Sequence, residues 1–209
     1  MAGATGLVGR EILAGLLADK RYRAVHVLGR RAPPITHPKL QVHTVDFAHI
    51  GKLPELDEVY VALGTTIKVA GSRQSFRAVD FDAVLAVAKA AQACGATRLG
   101  VVSAMGASAR SSVFYNRVKG DMEDALRELG YATLILARPS FIEGDRAALQ
   151  QPGRGGEGLA LMAMRALAPL IPANYRVIPA AQIARALMQA VSDAKPGIRT
   201  LLSGEMQAA

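Results

Sequence analysis

Five short apolar runs separated by longer alanine- and leucine-rich stretches constrain this chain more than any other feature. The runs cover residues 24–28, 40–45, 58–63, 98–103 and 132–137, and helix-length stretches cover 9–19, 75–93 and 112–129. A strand that is apolar on both faces needs cover on both faces. A helix after each strand supplies that cover and carries the chain back to start the next parallel strand. With right-handed crossovers the outcome is a doubly wound parallel α/β sheet. No repeat or linker divides the 209 residues, so 1–209 reads as one domain. Beyond Pro139 the character changes: 143–158 (EGDRAALQQPGRGGEG) reads as a loop, 159–170 and 183–191 as helices, and 199–202 as a late strand. Segments after the later strands of such a sheet lie over its ligand-binding end, which assigns 139–209 to the substrate side.

The first helix opens on Gly3-Ala-Thr-Gly6-Leu-Val-Gly9, with glycines three apart. Glycine allows the tight turn, lets backbone N–H groups approach a pyrophosphate, and permits close helix–sheet contact; the helix N-terminus adds its positive dipole end. The spacing suits a Rossmann-like nucleotide site, although a glycine-rich turn before a helix is, taken alone, often just a turn. The next run ends Leu28-Gly-Arg30-Arg31. An acid here would hold a ribose 2′-hydroxyl, whereas guanidinium groups accept a 2′-phosphate and so favour NADP over NAD; the bland alternative is two arginines on a surface turn. Asp46, after the second run, could border the adenine, and Leu63-Gly64-Thr65, after the third, would pass beside the cofactor; the alternative for either is an ordinary strand-to-loop transition. One element is short. Only Met1 and Ala2 precede the first glycine, although the strand feeding that loop belongs in the middle of the sheet. With about five residues of it lacking, two ladders lose a partner and the phosphate loop loses its anchor. Either the true start lies upstream or the flanking strands close the gap; a truncated start is favoured, and with it weakened cofactor binding.

Chemistry is carried by Ser103, Tyr115 and Lys119, the serine twelve positions before the tyrosine and the lysine four after it. Residues four apart share a helix face one turn from each other, where an ammonium favours the phenolate of a neighbouring tyrosine and readies it for proton transfer. Ser103 ends an apolar run, where a hydroxyl can hold a carbonyl or alcohol oxygen. Taken alone, a Tyr/Lys pair is usually a solvated face.

Composition narrows the partners. The formal charge of +8 and pI near 10 raise nucleic acid as a partner, but the basic residues are scattered, no aromatic platform interleaves with them, and Trp is absent. His26, His37, His43 and His49 lack metal-ligand spacing, so no metal is expected. The one cysteine, Cys94, reads as a packed thiol in a reducing compartment. No apolar stretch reaches the roughly 18 residues of a membrane span, and a cytoplasmic protein is expected. The apolar residues Val84, Leu85, Val87 and Ala88 suit either a homodimer face or packing on the sheet.

Together, the glycine motif, the arginine pair, LGTTIKVAGS (63–72), FRAVDFD (76–82), VVSAMGA, FYNRVKG and ARPS (137–140) resemble an atypical short-chain dehydrogenase/reductase over nearly the whole chain. Within that superfamily the chain is most similar to the Tat-interacting-protein-like oxidoreductases, including their small bacterial members. The resemblance implies that Gly3, Thr5, Gly6, Leu7, Val8 and Gly9 cradle the pyrophosphate and that Arg30 and Arg31 hold the adenosine phosphate. It puts Leu63, Gly64 and Thr65 beside adenine and ribose, and Pro139 and Ser140 near the carboxamide. It makes Ser103 the group that orients the reacting oxygen, Tyr115 the general acid/base, and Lys119 the partner of the nicotinamide ribose. The activity implied is NADP-dependent hydride transfer, with NAD as the lesser option, to or from a carbonyl or alcohol of a small molecule.

Two other readings stay open. A nucleotide-sugar epimerase or dehydratase uses the same trio but regenerates its cofactor in each cycle, so net NADPH oxidation separates the two. A regulatory protein that senses the dinucleotide would bind cofactor and a partner protein without turnover.

Overall fold

The computed structural model describes residues 1–143 and 172–208. The strands are β1 (Val25–Gly29), β2 (Leu40–Thr44), β3 (Glu58–Val61), β4 (Arg98–Val102), β5 (Thr133–Arg138), β6 (Ile142–Glu143), β7 (Ile178–Pro179) and β8 (Gly197–Leu202). All six longer strands pair in parallel, β1 with β2 and β3, β4, β5 and β8 in succession. Helix α1 is Leu7–Ala18, α2 Ile67–Ala70, α3 Arg73–Arg77, α4 Ala83–Ala93, α5 Phe114–Arg127, α6 Ala180–Ser192 and α7 Ser203–Gln207.

Period-2 alternation sorts the strand residues onto two cores. Leu28, Val59, Val61, Leu99, Val101, Leu134 and Leu136 meet Val84 and Val87 of α4 and Met122 and Leu126 of α5. Val25, Val27, Tyr60, Ile135 and Ala137 face the opposite way, onto Ile12, Leu13 and Leu16 of α1 and Ile183 and Leu187 of α6. Each of the buried Val, Leu, Ile and Met side chains among them stabilises the fold by about 1.5–3 kcal/mol, and the two layers together are the doubly wound arrangement expected.

In the middle of the sheet the flanking strands do not close the gap, contrary to the second of the two alternatives. β1 and β3 do not close onto each other, because Met1 and Ala2 stand between them. Ala2 bridges Leu28 on one side and Val61 on the other. Its N–H donates to Tyr60 O at 2.9 Å and its carbonyl accepts from Ala62 N–H at 2.9 Å, while Leu28 N–H donates to Met1 O at 2.8 Å. The Met1 amine donates to His26 O at 2.5 Å. Two residues thus occupy the site of the central strand and anchor the glycine loop. Beside Met1, between β1 and β3, lies a cavity of about 170 Å³ whose lining includes His26, Glu58, Tyr60 and Val87.

Other differences are local. The expected helix 75–93 is interrupted by a π turn, Ala78–Asp82, and α1 starts at Leu7, two residues early. The pair β6–β7 and helix α7 had no signal in the sequence. The expected helix 159–170 and all but the first residue of the expected loop 143–158 lie outside the described residues. Among the described residues, no helix is long and apolar enough to cross a membrane.

Candidate functional site

From Ala2 the chain turns sharply into α1, and the turn demands glycine. Gly3 has φ +88°, and a Cβ there would lie 2.4 Å from the carbonyl of Ala62. A Cβ on Gly9 would lie 1.9 Å from Gly3 O, so the first helical turn is pressed against the loop. Gly6 is the N-cap and no side chain caps the helix. The first-turn N–H groups and the dipole end therefore stay available to an anion, at the end of the sheet where a doubly wound fold binds ligands. Thr5 is exposed beside them. Arg30 and Arg31 follow β1, are exposed, and make no ion pair among the described residues. A loop that a Cβ would fill, an uncapped helix start and two free guanidinium groups fit a phosphorylated dinucleotide.

Asp46 follows β2 on an exposed turn, where its carboxylate accepts from Ala48 N–H at 3.0 Å and lies 3.7 Å from His49. Leu63, Gly64 and Thr65 follow β3. Thr65 N–H donates to Asp80 Oδ2 at 2.9 Å, and a Cβ on Gly64 would sit 3.5 Å from Asp80 Oδ1 and 4.0 Å from Lys119 Nζ. Pro139 is buried after β5 and accepts at its carbonyl from Met105 N–H at 2.9 Å. The Ser140 hydroxyl is tied to the carbonyl of Arg176 and to Ser203 Oγ, so what Ser140 can offer a ligand is backbone.

Helix α5 carries Tyr115, Lys119 and Glu123 at successive spacings of four, on one face. Tyr115 is half-buried, its ring 5.5 Å from that of Phe76, and among the described residues its hydroxyl makes no hydrogen bond. Lys119 is buried and its Nζ lies 2.8 Å from Asp80 Oδ1. Lys119 therefore stands beside the loop after β3, with Tyr115 one helical turn away on the same face.

Ser103 is engaged elsewhere. Its hydroxyl donates to Glu123 Oε1 at 2.5 Å. Glu123 is fully buried and also accepts from Arg138 Nε at 2.9 Å, Arg138 Nη2 at 2.6 Å and Arg127 Nη2 at 3.1 Å. Those bonds raise the Arg138 guanidinium further above its ordinary value. With its proton committed to Glu123, Ser103 has only lone pairs to offer.

Three residues of this site were missed from sequence. Asp80 lies in FRAVDFD, where an acid inside an apolar helical stretch is the one available sign of a buried role. Glu123 repeats the spacing of Tyr115 and Lys119. Gly120 lets α5 touch the turn after β4, since a Cβ there would lie 2.1 Å from Ala109 N.

Comparison with known proteins agrees with this geometry. A family described as NAD(P)H-binding matches residues 3–158. "Protein FMP52-1, mitochondrial" of Scheffersomyces stipitis is 33% identical over 152 residues, 69% of this chain and 66% of that protein. "Protein FMP52, mitochondrial" of Chaetomium globosum is 32% identical over 173 residues, 79% of this chain and 72% of that protein. The chain thus spans 66% of the length of the first of these relatives. Among solved structures, a short chain dehydrogenase family protein from Francisella tularensis superposes with TM-score 0.71 at 14% identity, over 99% of this chain and 97% of its own. MoeE5 in complex with UDP-glucuronic acid and NAD gives TM-score 0.71 at 17% identity, over 96% of this chain and 74% of its own. These likenesses show the fold. The relatives carry the FMP52 name and not that of the Tat-interacting proteins. Their names also overturn the cytoplasmic expectation, because the relatives are named as mitochondrial. The absence of an apolar span and the single cysteine, on which that expectation rested, do not distinguish one reducing compartment from another.

Proposed function

Because the chain belongs to the NAD(P)H-binding family, we propose that it is an NADP-dependent oxidoreductase acting on a carbonyl or alcohol of a small molecule. The motif order shared with the Tat-interacting-protein-like oxidoreductases supports an atypical short-chain dehydrogenase/reductase. Gly3, Thr5, Gly6, Leu7, Val8 and Gly9 receive the pyrophosphate on backbone N–H groups at the start of α1. Arg30 and Arg31 bind the 2′-phosphate, Asp46 borders the adenine, and Leu63, Gly64 and Thr65 flank adenine and ribose. Pro139 and the Ser140 backbone lie by the carboxamide. The nucleotide, when bound, supplies or accepts the hydride.

The chain's own part is proton transfer and positioning. Tyr115 gives its phenolic proton to a carbonyl oxygen during reduction and takes it back from an alcohol during oxidation. Lys119 favours the phenolate that remains and hydrogen-bonds the nicotinamide ribose. Ser103 orients an alcohol oxygen through its lone pairs, and it turns from Glu123 when it must donate to a carbonyl. The observation that supports this reading most is the Lys119 ammonium beside the exposed backbone of Gly64, one helical turn from Tyr115.

Tyr115→Phe is the test. Turnover of a responsive carbonyl substrate should fall by about 10²–10⁴-fold, the usual contribution of a general acid, while NADPH affinity holds. Survival of turnover would show that Tyr115 is not the acid/base.

A further inference from the structure

Asp80 is a fully buried carboxylate on which three separate elements of the site converge. It projects from the π turn Ala78–Asp82 and is 0% exposed. One oxygen lies 2.8 Å from Lys119 Nζ on α5, and the other accepts from the Thr65 N–H of the loop after β3 at 2.9 Å. A π turn adds a residue to a helical stretch and re-aims the side chains beyond it; here it turns an acid into a space that an amphipathic helix would give to an apolar side chain. An ammonium as buried as that of Lys119 persists only with a counter-charge at hand. The surrounding charges leave that task to Asp80. Glu123, one turn along α5, is taken by Ser103, Arg127 and Arg138. Arg77 of α3 is paired with Asp121 at 3.0 Å. Tyr115, the remaining titratable neighbour on the helix, is a phenol that benefits from the ammonium and does not replace the acid.

We propose that Asp80 is a positioning residue: its two oxygens lock the Lys119 amine to the Thr65 backbone, so that the group meeting the nicotinamide ribose and the loop bordering the adenosine ribose are set as one unit. The inference rests on the reading above that Lys119 contacts the nucleotide. It adds that the contact depends on a residue that touches no ligand itself.

The experiment is NADPH binding by calorimetry from pH 6 to pH 9, on the wild type, Asp80→Asn, Lys119→Met and the double variant. Relative to wild type, Asp80→Asn should lose little affinity at pH 6 and at least tenfold at pH 9, as the unpaired amine sheds its proton. Lys119→Met should show a loss that does not vary with pH, and the double variant should be no worse than Lys119→Met alone. An Asp80→Asn loss that is the same at every pH and adds to that of Lys119→Met overturns the proposal. Should Lys119→Met bind like wild type, it is the assignment of Lys119 to the nucleotide that fails. If Asp80→Asn does not fold, the double variant decides. Recovery of the fold with both charges removed supports the lock, and a double variant as unfolded as the single overturns it.

Discussion

A chain whose first residue is Met1 should lose about 4 kcal/mol of stability between pH 8 and pH 5. The Met1 amine sits at the centre of the sheet, where burial lowers its pKa from 8.0 to about 5. Between those values the unfolded chain carries a proton that the folded chain does not. Stability from this group is therefore complete above pH 8, falls as the pH drops, and levels off below pH 5. Three units at 1.36 kcal/mol each give about 4 kcal/mol. Urea unfolding at half-unit steps from pH 5 to pH 8.5, with the slope on denaturant held common, measures the curve. Nα-acetylation removes the titration. Burial also lowers the pKa of His26, helped by His43 and the amine itself. That shift has the same sign and steepens the curve below the ordinary histidine range, so His26→Asn serves as the control. Parallel curves for free and acetylated chains would refute the reasoning, since only the amine distinguishes them.

Three further outcomes derive from the site. Gly9→Ala places a Cβ 1.9 Å from Gly3 O and should cost about 1–3 kcal/mol of stability, as overpacking does, with NADPH binding lost by calorimetry. Arg30→Ala and Arg31→Ala should each weaken NADPH by roughly tenfold or more, on the strength of a charge-assisted hydrogen bond, and leave NADH nearly unchanged; equal losses for both nucleotides would remove the 2′-phosphate from these residues. Glu123→Ala strands Arg138 and frees Ser103, and should destabilise the fold by about 1–3 kcal/mol in chemical unfolding, because the guanidinium left without its partner is only partly buried.

Most strands were legible to within two residues because their apolar character on both faces is written directly into the runs. Helix α1 began early because its cap is backbone at Gly6, which leaves no side-chain signature to read. The π turn was not legible: one extra residue within 75–93 leaves helical periodicity nearly intact. For the same reason nothing in the pattern singled out Asp80, and Glu123 stands among other charges in GDMEDALRELG. The spacing of Tyr115 and Lys119 was sufficient to place them together, whereas spacing could not reveal that Ser103 bonds Glu123, since that contact depends on how α5 lies across the end of β4. The centre of the sheet escaped because a bridge to both neighbours needs only the N–H and C=O of Ala2, far less than the alternation by which a strand is recognised.

The thin centre of the sheet divides it into two leaves, β2–β1 and β3–β4–β5–β8, whose backbones are stitched together through Met1 and Ala2 by four hydrogen bonds. Amides of β1 and β2 should therefore exchange with solvent through a local opening well before those of β4 and β5. On the proposed function, a dinucleotide that spans from Arg30 and Arg31 on one leaf to Leu63–Thr65 on the other would act as a clasp across this seam. At a hundredfold excess over Kd it adds about 2.7 kcal/mol, and protection should rise first in the smaller leaf.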